Sequence, residues 1–198
     1  MLDFDHTLFN TTLYVQALRE ALEQKGIAPE IFDEKRNELK SCCALVDIDR
    51  FVEALPLPDK DCLHRAIHDL IRERAREFVF TDAQQFIDRH RDSYDIVILT
   101  QGDQELQSEK VEHSNLSGYH EVIISLDTKD ESIVAVATHY DEVHYIDDKA
   151  KHIDEVKERY PHVITYFIQR PEDKPYASTS SQCDCANYII TDLSMTIS

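Results

Sequence analysis

Near its start the chain reads Leu2-Asp3-Phe4-Asp5-His6-Thr7-Leu8-Phe9, two carboxylates two positions apart at the end of an apolar run. Positions i and i+2 of a strand share a face, so at the strand's C-terminal edge Asp3 and Asp5 can point into one crevice. Phosphoryl transfer can use that pair. One carboxylate attacks phosphorus to form an aspartyl-phosphate, while its neighbour protonates the leaving oxygen and later deprotonates water. A second segment, Ile96-Val97-Ile98-Leu99-Thr100-Gln101-Gly102-Asp103, sets a hydroxyl directly after a buried strand and a glycine just beyond it. Thr100 is placed to contact a phosphate oxygen. The glycine lets backbone amides approach an anion, and a helix from Asp103 onward aims its N-terminus at the same space. A third segment, Val143-His144-Tyr145-Ile146-Asp147-Asp148-Lys149, again ends a strand in carboxylates. Adjacent carboxylates repel unless a cation lies between them, and hard oxygen ligands suit magnesium. Taken alone, such an Asp pair is more commonly a helix N-cap with a solvated neighbour.

These residues need elements to hold them. Five short β-branched runs, at 95–99, 121–125, 142–146, 163–168 and 187–191, read as buried strands. Amphipathic stretches at 103–114 and 149–160 lie between them, and alternating strand and helix implies a parallel sheet covered on both faces. Residues 13–79 differ, with helical stripes at Leu13, Ala17, Leu18 and Leu22, at Ile48, Phe51, Val52 and Leu55, and at Leu63, Ile67, Leu70 and Ile71. A helix with a broader apolar face is expected at 29–43. The expected fold is therefore α/β: a Rossmann-like parallel sheet sandwiched by helices, formed by 1–12 and 80–198, with an inserted helical cap at 13–79. Thr81 and Asp82 read as the cap of a helix at 83–90, and 170–186 as a long surface loop.

Together and in this order, DFDHTLF, ILTQGD and YIDDK resemble the first, second and fourth motifs of the haloacid dehalogenase-like superfamily, over nearly the whole chain. The resemblance implies Asp3 as nucleophile and metal ligand, Asp5 as acid/base with its backbone carbonyl on the metal, and Thr100 on the phosphoryl group, flanked by Gln101 and Gly102. Asp148, with Asp147, would complete a Mg2+ shell. It also implies a lysine that balances the charge of nucleophile and phosphate. Lys129 in Thr128-Lys129-Asp130 is preferred, while Lys110 reads as a helix-surface residue. An aspartate at position 5 favours a phosphatase over a dehalogenase, because a halide leaves without a proton. The expected activity is magnesium-dependent hydrolysis of a small phosphorylated metabolite. The alternatives are phosphotransfer to another acceptor, including a mutase, and a binding or regulatory protein that has kept the fold.

Two departures from the pattern stand out. His6 occupies a position where many relatives carry glycine, so the backbone turn is expected to differ. Only Met1 and Leu2 precede Asp3, whereas strands usually run about 5–6 residues. Either the strand is truncated or upstream residues are missing, and a short strand would cost stability before any catalytic residue is lost.

Composition narrows the partners. Asp plus Glu number 39 against 21 Lys plus Arg, a formal charge of −18 over 198 residues. That charge repels nucleic-acid backbones and anionic membranes, while leaving room for a small anion beside a cation in a cleft. No apolar run approaches the roughly 18 residues of a membrane span, and no secretion signal is evident, so a cytoplasmic protein is expected. The five cysteines are expected to be reduced thiols, and Cys183-Asp184-Cys185 lacks a second close pair for zinc. His64, His68, His90, His113 and His144 read as surface or core-edge residues with no joint ligand spacing. Oligomeric state is left open by the sequence.

Overall fold

Aliphatic and β-branched runs form the strands β1 (Val97–Gln101), β2 (Glu121–Ser125), β3 (His144–Asp147), β4 (Ile164–Ile168) and β5 (Tyr188–Ile190). The computed structural model describes residues 1–42, 47–126, 129–173, 183 and 185–196. All strand pairs are parallel: β1 with β2, β3 with β4, and β4 with β5. The gap between β1 and β3 is filled by residues 1–3. Leu2 bridges Ile98 on one side and Ile146 on the other. The Leu2 amide donates to the Val97 carbonyl at 2.8 Å, and the Asp3 amide donates to the Ile146 carbonyl at 2.9 Å. The order is thus β2-β1-(1–3)-β3-β4-β5, with the leading segment at the centre.

The helices between strands are α6 (Gln104–His113), α7 (Lys129–Ala137) and α8 (Ala150–Arg159). Successive residues of a strand point to opposite faces, and here both faces are covered. Leu99 and Tyr145 pack with Ile133, Ile153 and Val156 of α7 and α8. Ile98 and Ile146 pack instead with Val111 of α6 and with Phe86 and Ile87 of α5 (Thr81–His90). This double burial explains why the strands read as continuous apolar runs.

Between the leading segment and α5 come α1 (Thr11–Glu23), α2 (Pro29–Cys42), α3 (Ile48–Ala54) and α4 (Lys60–Arg74). Asn10, Asp47 and Asp59 cap three of them by accepting from the amides of Leu13, Arg50 and Cys62. Their apolar stripes join the same buried cluster as Leu2, Phe4, Leu8 and Phe9. Phe9, Tyr14 and Phe78 make the junction, with ring centroids 5.7 to 5.9 Å apart.

Several expectations shift. β1 runs two residues further than read, so Thr100 lies within the strand and not just after it. The helix expected at 83–90 begins at Thr81 and has no side-chain cap. Asp82 is engaged elsewhere, accepting from Arg170 Nη1 at 2.6 Å and from the Leu193 amide at 2.8 Å. Cys43, Thr128 and most of the 170–186 loop, including Asp184, lie outside the described residues. Among the described residues no helix is long and apolar enough to cross a membrane.

Candidate active site

Two adjacent C-terminal strand edges bring three carboxylates together. Asp3 leaves the central segment, Asp147 ends β3, and Asp148 follows it; their oxygens all lie within 4.8 Å of one another. Three buried carboxylates need compensation, and Lys129 at the start of α7 supplies part of it. Its ammonium donates to Asp3 Oδ1 and, at 2.8 Å, to Asp147 Oδ2, with the lysine only 4% exposed.

The two aspartates of the pair are not alike. Asp147 also accepts from the Tyr145 hydroxyl, the Lys149 amide at 2.8 Å and the His152 ring at 3.0 Å. Burial works against its charge, but Lys129 and His152 overcome burial and hold its carboxyl well below the usual range. Both oxygens of Asp148 are buried without a hydrogen-bond partner among the described residues. Burial first, and then the charges of Asp3 and Asp147, push its affinity for a proton well up. Burial also raises Asp3, with Lys129 opposing. An orphaned carboxylate facing a second buried carboxylate fits a hard divalent cation. Asp3 and Asp148, with Asp147 beside them, are the residues able to hold it. Asp147, expected in the shell, lies within reach of the same ion and also anchors Lys129.

Asp5 lies in a separate set of contacts. It accepts from the Thr11 hydroxyl at 2.5 Å, from Gln107 Nε2 at 2.7 Å and from the Lys110 ammonium. Lys110 is therefore not the surface residue the sequence suggested. It is 3% exposed, with its Nζ 5.0 to 5.6 Å from the ring centroids of Phe9, Tyr14 and Phe4. Burial opposes ionisation of Asp5, but the charge of Lys110 and its hydrogen bond prevail and hold the carboxyl well below its ordinary value. Lys110 and Gln107 share the inner face of α6, and the aromatic residues that enclose the lysine come from the far end of the chain. No local spacing marks that enclosure.

Thr100 is 1% exposed and its hydroxyl has no partner among the described residues, which leaves it a donor for an entering oxygen. The Gly102 amide, expected to face an anion, donates to the Ser125 carbonyl at 3.2 Å. What Gly102 provides is space: a Cβ there would sit 2.7 Å from Gln107 Nε2, at a φ of +158°. The carbonyl of Gln101 accepts from the same Nε2 at 3.3 Å. His6 holds a left-handed φ of 63°, a conformation that glycine adopts more readily. Its ring meets Asp173 at 2.8 Å, which ties the turn to the segment after β4.

Beside Asp5 and Lys110 a cavity of about 140 Å³ opens between α6 and the helical segment, walled by Tyr14, Leu18, Phe51 and Ile67. Arg36 reaches it from α2.

No protein-family model and no curated protein sequence matches the chain. Solved structures do. A haloacid dehalogenase-like protein from Burkholderia xenovorans superposes with a TM-score of 0.79 at 20% identity, over 97% of this chain and 91% of that one. The HAD-family protein YfnB of Bacillus subtilis, solved with magnesium bound, gives 0.64 at 15% identity over 98% and 93%. L-2-haloacid dehalogenase from Xanthobacter autotrophicus, with chloropropionic acid covalently bound, gives 0.62 at 14% identity over 97% and 93%. The chain has the haloacid dehalogenase-like fold.

Proposed function

We propose that this protein is a magnesium-dependent phosphomonoester hydrolase that works through an aspartyl-phosphate on Asp3. The observation that carries the reading is the division of labour between two carboxylates two positions apart. Asp3 faces Lys129 and the orphaned Asp148, whereas Asp5 is held apart by Thr11, Gln107 and Lys110. A nucleophile and a separate proton carrier are what displacement of an alkoxide requires.

Asp3 attacks phosphorus, with Lys129 orienting it and offsetting charge as the phosphoryl oxygens enter. The Thr100 hydroxyl donates to one of those oxygens. Asp5 gives a proton to the departing alkoxide and then takes one from the water that cleaves the aspartyl-phosphate. Lys110 favours the ionised form of Asp5, the form needed in the second half. A phosphate dianion in the crevice opposes that effect and restores proton affinity for the first half. Magnesium, held by Asp3 and Asp148, would supply further neutralisation of phosphate charge. The cavity beside Asp5 takes the leaving group, so its apolar walls favour a small, largely apolar alcohol, with 13–79 acting as the cap that selects it.

The second reading is dehalogenation, favoured by the likeness to the Xanthobacter enzyme. A halide needs no proton, which leaves Asp5 and its three partners without a task. Phosphate release from a chromogenic phosphoester, set beside halide release from 2-haloacids with and without magnesium, separates the two. Halide release insensitive to EDTA, with no phosphate formed, would overturn the proposal.

A further inference from the structure

Away from the catalytic carboxylates, His68 on α4 meets Glu105 and Glu109 on α6, and one ligand atom from each lies within 4.8 Å of the other two. We propose that these three side chains form a second metal site, for a zinc-class divalent ion, across the seam between the helical segment and the α/β core.

The donor set decides the ion. One imidazole and two carboxylates suit zinc, cobalt or nickel, whereas magnesium takes oxygen ligands and keeps its water. Glu105 and Glu109 are one turn apart, so both face α4. The hydrogen-bonded arrangement accounts for only part of the cluster. Glu109 accepts from the His68 ring at 2.5 Å and from Arg72 Nη2 at 3.0 Å, while Glu105 has no hydrogen bond or ion pair to the described residues. A tetrahedral ion with bonds of about 2.0–2.1 Å spaces its ligand atoms about 3.3 Å apart. The His68–Glu109 contact must therefore open by less than an ångström.

Arg72 already sits on the other oxygen of Glu109, the place of an outer partner that orients a ligating carboxylate. Both His68 and Glu109 have side chains 15% exposed, enough for an ion to enter. His64, one turn before His68, points to Asp49 at 3.6 Å and is not part of the set. A bound ion cross-links α4 to α6, the helix whose Gln107 and Lys110 hold Asp5.

The test titrates zinc into the full chain, stripped with EDTA and returned to millimolar magnesium so that Asp3 and Asp148 are occupied by the commoner ion. Calorimetry should find one zinc per chain, with a higher thermal midpoint by mass action. Loss of outer-shell partners alone weakens metal sites by about 10–100-fold, so His68→Ala and Glu105→Gln should each weaken zinc at least about tenfold. Asp148→Asn should bind it as the wild type does. Glu105 is exposed, so its variant decides the question if His68→Ala fails to fold. Absence of zinc binding in the wild type, or unchanged binding in Glu105→Gln, overturns the site.

Discussion

Asp3 and Asp5 differ in what surrounds them, and substitutions can separate their roles. Asp3→Asn keeps the shape and removes the carboxylate proposed as nucleophile, so phosphate release should vanish while the circular dichroism spectrum stays the same; wild-type-like turnover would end the aspartyl-phosphate reading. Lys129→Met should lower turnover by orders of magnitude, since it leaves Asp3 facing Asp147 with no ammonium between them. Lys110→Met should reduce it by at most the roughly 10²–10⁴-fold that proton transfer contributes, because its contact is with Asp5. A Lys110→Met enzyme with normal turnover would show that Asp5 needs no such partner. Asp148 gives a pH signature. Its folded-state proton affinity is raised, so from about pH 4 upward the metal-free native state binds more protons than the unfolded chain, and stability falls as pH rises through the folded value. Asp5 and Asp147 are shifted the opposite way, and their contribution is lost only below about pH 4. Magnesium bound as proposed would displace the Asp148 proton, so the rise in thermal midpoint it produces should be larger at pH 8 than at pH 5. An equal rise at both would contradict the assignment.

At the scale of elements, most of what was readable came from periodicity. The strand cores near 98, 146 and 166 were legible because burial on both faces makes each a continuous apolar run, and the one near 123 because its half-buried residues are all β-branched. The ends were not, since hydrogen bonding carries β1 through the polar Thr100 and Gln101. Asp82 had the chemistry of a helix cap, but Arg170 and the Leu193 amide, both distant in sequence, compete for its carboxylate. Lys110 shows the same limit: its helix has polar residues all round, so nothing local marks which side faces the aromatic rings. Gly102 belongs here too, because it sets how closely β1's exit approaches α6. Gly102→Ala should push Gln107 off Asp5 and cost more than about 1 kcal/mol from the positive φ alone. Denaturant titration and turnover on the same preparation check both effects, and an unchanged enzyme would mean that Gln107 does not position Asp5.

Over the whole molecule, the helical segment and one face of the sheet share a single apolar cluster. Calorimetry should accordingly show one unfolding transition. Phe9→Ala, at the junction with Tyr14 and Phe78, should destabilise the protein by about 3–5 kcal/mol, and separate melting of the two parts would refute that coupling. The sheet has a different weak line. Its halves β2-β1 and β3-β4-β5 are joined, among the described residues, through the backbone of residues 1–3. Four amides lie on that seam: Leu2, Asp3, Leu99 and Ile146. Opening it exposes all four to solvent exchange in one event and draws Asp3 away from Lys129. On heating, turnover then fades ahead of the bulk secondary structure, and deuterium enters those four amides at the rate at which activity is lost.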